Sequence, residues 1–208
     1  MRNRTLAEWI AVEPGPSTGD DEFDSLIDKK VGQVNALNAR DRDPQIDGEW
    51  WSGMPCGQLS VVLAGLRFLA MLHQTHHWIS RGDTYYGDHL LFERLYNETV
   101  DEIDSVAEKS IGLGGEQNVN LQTQIRQIAR LVTIASDAQT IPNANDLARI
   151  SLAAEKAFLT TLDTMLDSMK QTGCSTNGVD NLLQGIADVH ETHVYLLKRR
   201  CQNNALGM

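Results

Sequence analysis

The stretch from His77 to Gly115, HWISRGDTYYGDHLLFERLYNETVDEIDSVAEKSIGLGG, decides the fold and points to the chemistry. Between Asp88 and Leu113 it has no proline and a single glycine, Gly112. Apolar residues recur there at Leu91, Leu95, Val100, Ile103, Val106, Ala107, Ile111 and Leu113. That periodicity predicts one long helix. Its polar residues are as regular: His77, His89, Glu93, Asp104 and Glu108 follow the spacing His-x11-His-x3-Glu-x10-Asp-x3-Glu, closed by Leu113-Gly114-Gly115. Residues four apart stack one turn above the other, so His89/Glu93 and Asp104/Glu108 each form a two-pronged claw on one helix face.

The interval from Glu93 to Asp104 is close to three full turns, so both claws share nearly the same stripe but lie roughly 16 Å apart at about 1.5 Å per residue. One chain cannot close a single site with both. Two copies packed antiparallel about a twofold axis bring the first claw of each onto the second claw of the other, which makes two equivalent sites. Two imidazoles and three carboxylates without a thiolate suit iron, with zinc or manganese as competitors.

The same residues carry a resemblance. His77-Trp78, Arg81-Gly82, His89, Glu93, Asp104, Ala107-Glu108 and Leu113-Gly114-Gly115 resemble, without a gap, the signature of the Dps-type mini-ferritins, the DNA-binding proteins from starved cells. The resemblance implies a ferritin-like four-helix bundle assembling from twofold dimers into a hollow dodecamer that oxidises Fe(II), preferentially with hydrogen peroxide, and stores the ferric product. It also implies ferroxidase ligands at His77, His89 and Glu93 from one subunit and at Asp104 and Glu108 from its twofold mate. Two features depart from the family pattern. Glu93 stands where Asp is usual, and the lysine-rich tail of DNA-compacting members is missing, with only Arg2 and Arg4 ahead of the acidic run Gly19–Asp24. A formal charge of −10 per chain, multiplied by twelve to −120, argues against binding DNA.

The rest of the chain reads as a bundle. Gln58 to His77 carries Leu59, Val62, Leu63, Leu66, Leu69 and Leu72 at helical steps and delivers His77 near its end. Asp146 to Lys170 and Val179 to Arg200 supply the last two core helices, the former stopped at Gly173. The long connection from Glu116 to Ile141 contains an extra helix marked by Leu121, Ile125, Ile128, Leu131, Val132 and Ala135. A connection this long fits core helices two and three running in the same direction. The fold class is therefore all-α. It comprises an N-terminal arm over residues 1–55, a bundle over 56–202 and a tail over 203–208.

The arm holds four of the five prolines and is read as extended apart from a helical piece around Phe23–Leu37. Its Trp9, Trp50 and Trp51 call for docking on neighbouring subunits or another protein. His73 is a candidate to support the ligand His77, His76 is given an outward or packing role, and His190-x2-His193 reads as a surface pair without an acidic partner. No Glu-x2-His motif occurs, which disfavours a di-iron site built inside one subunit from such motifs. Cys56, Cys174 and Cys201 are an odd number without metal-ligand spacing, and a reducing cytosol fits them best. No apolar run reaches roughly 18 residues, so no membrane span is indicated and a cytoplasmic location is expected. Besides an iron-oxidising storage shell, two other functions are compatible with the residues: a metal-locked structural scaffold recruiting partners through the arm, and a DNA-protecting shell using Arg2, Arg4 or Lys198-Arg199-Arg200.

Overall fold

The computed structural model describes residues 53–135 and 144–202. These contain α1 (Gln58–Ile79), α2 (Tyr85–Gly114), one 3-10 turn (Glu116–Val119), α3 (Leu121–Ala135), α4 (Ala144–Thr172) and α5 (Asn177–Gln202), and no strand. The all-α class and the extra helix in the long connection are as the periodicity predicts. The readings of residues 1–52, with Trp9, Trp50, Trp51 and the Phe23–Leu37 piece, and of the 203–208 tail, fall outside the described residues. No described helix is long and apolar enough to cross a membrane.

Helix directions follow from which ends meet. Gln58 at the start of α1 donates to Ser168 Oγ at 3.0 Å and to Thr172 Oγ1 at 3.3 Å, near the end of α4. Asp88 in the first turn of α2 meets Arg200 in the last turn of α5. With α1 and α2 joined by a short turn, α2 and α4 therefore run parallel, and α1 and α5 run against them. α3 lies in the crossover that this order requires and packs on α1.

The Leu113-Gly114-Gly115 signature has a steric cause. A Cβ on Gly114 would lie 2.1 Å from the Pro55 carbonyl oxygen and 2.0 Å from Asn118 Nδ2, and Gly115 turns the chain out of α2 with φ +88°. The end of α2 can thus seat directly on the chain entering α1. There Asn118 Nδ2 donates to Pro55 O at 3.0 Å.

The core is built in two apolar blocks. One gathers Leu59, Leu63, Leu66, Phe158, Leu162 and Leu183 with their neighbours, and the other Phe92, Leu95, Leu147, Leu152 and Leu197. Each such side chain contributes about 1.5–3 kcal/mol on burial. The residues that lie between the two blocks in sequence on α2, α4 and α5 include buried polar ones, taken up below.

The cysteine reading needs correction. Cys56, just before α1, and Cys174, just after α4, form a disulfide with Cα atoms 5.4 Å apart, and Cys201 takes no part in it. They meet because α1 and α4 are antiparallel, which no local spacing could reveal. The bond spans 118 residues of sequence. Closing a loop of that size restricts the unfolded chain by about 4–5 kcal/mol in the chain-entropy account. Cys56→Ser is therefore expected to lower unfolding free energy by roughly 3–4 kcal/mol in a urea titration without reductant. Equal stability of variant and wild type under those conditions would show the pair to be reduced.

Candidate metal centres

α2 presents one set of ligands outward. His77 near the end of α1 and His89 in the second turn of α2 lie ring on ring, centroids 3.7 Å apart and tilted by 22°. His77 Nδ1 donates to the backbone carbonyl of His89 at 2.9 Å, and His89 Nδ1 donates to that of His77 at 3.0 Å. A carbonyl oxygen only accepts, so each Nδ1 carries a proton and Nε2 is the nitrogen of each ring left to ligate a metal. This reciprocal lock fixes tautomer and ring orientation as an outer hydrogen bond does for a metal-bound histidine. Tyr96 and Tyr85 flank the pair, with centroids 5.5 Å from His77 and 5.2 Å from His89 respectively.

Glu93 follows one turn after His89 and is half-buried, while Asp104 and Glu108 are exposed farther along the helix. One chain therefore gathers His77 and His89, with Glu93 next to them along α2. It leaves the Asp104/Glu108 claw about three turns away, as helix rise requires. Val100 and Ile111, part of the periodicity that marks the helix, are 49% and 41% exposed. At about 100° per residue they share the stripe of Glu93 and Asp104. The same side of the molecule exposes Leu121 and Ile125 of α3, beside a groove of about 400 Å³ bordered by Met71, Tyr96 and Val100. This face thus interleaves exposed apolar side chains with Glu93, Asp104 and Glu108.

The opposite face of α2 looks into the bundle and joins a buried polar layer. At its centre Glu155 of α4 accepts from three imidazoles: His73 Nε2 at 2.7 Å, His190 Nδ1 at 2.5 Å and His193 Nδ1 at 3.0 Å. All four residues are fully buried. From α2, Glu102 accepts from His190 Nε2 and Glu98 from His193 Nε2, both at 2.9 Å. His73 Nδ1 is 3.2 Å from Ser151 Oγ, which in turn lies 2.8 Å from His76 Nδ1.

Each shift in acidity has a cause in this packing. Burial opposes charge on Glu155, yet the charge and hydrogen bond of His190, with the bonds from His193 and His73, hold its carboxyl well below the usual range. His190 is also disfavoured as a cation by burial, but Glu155 and Glu102 outweigh that and raise it to about 9. Burial lowers His73, and burial with the nearby His73 pushes His76 down to about 3. Glu102 is raised by burial. On Glu98 the upward push of burial is outweighed by the bonds from His193 and Arg94.

His190 and His193 are thus not the surface pair that their spacing suggests, and their acidic partner is Glu155. His73 serves this inner layer, while His76 packs edge-on to Phe92 at 5.3 Å as expected. One sequence signal was available: Leu183, Ile186, His190, His193 and Leu197 step by three and four, which puts both histidines on the buried stripe. Glu155 likewise occupies the apolar face between Ser151 and Phe158.

A third constellation ties α2 to α5. Buried Asp88 takes both Arg200 Nε and Arg200 Nη2, the latter at 2.9 Å, together with Thr84 Oγ1 at 2.7 Å. The fork fixes the α2 terminus from which His89 projects and commits Arg200 inward.

No family model matches the chain. A nutrient stress-induced DNA-binding protein of Synechococcus is 28% identical over 67% of this chain and 76% of its own length. A protein of the same name from Nostoc is 28% identical over 49% of this chain, which spans only 53% of that relative. Among solved structures, DpsC from Streptomyces coelicolor superposes with TM-score 0.56 at 25% identity, covering 70% of this chain and 81% of that one. A Vibrio cholerae Dps, described as a member of a broad superfamily of ferritin-like diiron-carboxylate proteins, gives TM-score 0.56 at 16% identity over 69% and 86%.

Proposed function

We propose that the chain, which is similar to Dps proteins in sequence and fold, is a Dps-type mini-ferritin, a ferroxidase and iron-storage protein whose sites lie between twofold-related subunits. Fe(II) is the substrate. Two ferrous ions give up one electron each to hydrogen peroxide, which takes up two protons and leaves as two waters. The ferric product is then stored inside a dodecameric shell built from twofold dimers.

One observation carries this reading: the His77/His89 lock, which leaves Nε2 of each ring to ligate a metal on the stripe that also bears Glu93. On that stripe His77, His89 and Glu93 of one subunit would meet Asp104 and Glu108 of the other. The apolar side chains between them, Val100 and Ile111, would be covered in the same contact. Glu93 in place of the family's usual Asp lengthens one ligand arm by a methylene. The relatives' names speak of DNA binding, but a net charge of −10 and the inward commitment of Arg200 to Asp88 give this chain little to offer phosphates.

The test is an anaerobic Fe(II) titration of the assembled protein followed by hydrogen peroxide, with ferric absorbance as the readout and Glu108→Ala as control. Oxidation of about two irons per site that falls to background in the variant is expected. An unchanged rate in Glu108→Ala would refute the assignment and leave the metal-locked scaffold as the better reading.

A further inference from the structure

We propose that the bundle interior holds a second metal site, separate from the intersubunit pair, in which one divalent cation of the iron, cobalt and zinc group is bound by His73 Nε2, His193 Nδ1 and Glu155 Oε1. The three ligand atoms lie within 4.8 Å of one another on three different helices. Two ligands about 2.1 Å from one ion at right angles sit about 3.0 Å apart. Glu155 Oε1 is 2.7 Å from His73 Nε2 and 3.0 Å from His193 Nδ1, so the donors already have nearly the spacing of a coordination shell. Two imidazoles and a carboxylate are a donor set that divalent iron and its neighbours accept, with positions left for further ligands.

The outer nitrogens are held as a metal site needs. The cation would displace the protons that His73 Nε2 and His193 Nδ1 give to Glu155 Oε1, releasing them to solvent, while His193 keeps a proton on Nε2 toward Glu98 and His73 carries one on Nδ1 toward Ser151. His190 is a positioning residue, because it bridges the second oxygen of Glu155 to Glu102 and fixes the carboxylate plane. The outer acids bonded to this layer reach toward the surface, the Glu98 side chain being 37% exposed and that of Glu102 13%. On α2 these two acids lie roughly opposite Glu93 and Asp104 at about 100° per residue, so one helix serves two centres back to back.

The test begins with a variant lacking the outer acids, Asp104→Ala/Glu108→Ala, stripped with chelator and titrated with Co(II). One cobalt per chain, with visible bands of low coordination number, is expected. Adding Glu155→Gln to that background should reduce the stoichiometry from one to zero, with circular dichroism confirming the helices. No cobalt bound to the outer-site variant, or equal binding with Glu155→Gln, would overturn the site. Should Glu155→Gln unfold, anomalous scattering from cobalt-soaked crystals of the outer-site variant decides: a peak between His73, His193 and Glu155 supports the site, and its absence refutes it. Because the outer acids are already removed, the result is independent of the ferroxidase assignment.

Discussion

Two inactive variants, His89→Ala and Glu108→Ala, are expected to regain about one quarter of wild-type ferroxidase activity when refolded together in equal amounts. In the proposed arrangement a twofold dimer would have two sites, each pairing the His89/Glu93 claw of one subunit with the Asp104/Glu108 claw of the other. In a mixed dimer one site collects both substitutions. The other combines intact His77, His89 and Glu93 with intact Asp104 and Glu108. Random pairing makes about half of the dimers mixed, each with one working site of two, which leaves about a quarter of all sites intact. Ligands gathered within one chain would give no recovery, since every chain would carry a lesion. Stopped-flow oxidation of Fe(II) by peroxide in the mixture against each parent separates the two arrangements. Parents that retain activity on their own would instead remove His89 or Glu108 from the site.

The candidate outer ligands stood out in the sequence because they are polar residues off the apolar stripe, which need no explanation from the core. His89/Glu93 and Asp104/Glu108 stand out as a rhythm on a helix whose apolar residues are already accounted for. The same accounting hid the inner layer. A search for apolar periodicity passes over His190 and His193, although they stand at buried positions between Ile186 and Leu197, and it passes over Glu155 beside Ala154. Nor does apolar periodicity tell the buried Leu95 and Val106 from Val100 and Ile111, which are 49% and 41% exposed. The Cys56–Cys174 bond was beyond reach for another reason: it depends on α1 and α4 being antiparallel, which is a tertiary fact. Helix boundaries fared better. Gly173, with φ +74°, ends α4, and Thr176 Oγ1 accepts from Val179 N to start α5, so both are written in local turn chemistry.

Glu155→Leu in metal-free protein is expected to lower stability by about 3–5 kcal/mol, whereas an apolar replacement of Glu155, His73, His190 and His193 together should be neutral or stabilising by up to about 4 kcal/mol. The single change deprives three buried ring nitrogens of their common acceptor and leaves the His190 cation facing only Glu102. The fourfold change removes every charge and donor from the centre of the layer at once and joins the two apolar blocks, while Glu98 and Glu102 remain near enough to the surface to be hydrated. Urea unfolding of both variants in the presence of a chelator gives the comparison. A fourfold variant much weaker than wild type would make the layer a stabilising element in its own right. A fourfold variant at least as stable would mean that the bundle keeps a buried carboxylate and its imidazoles at a cost in stability, as expected of residues held ready for a cation.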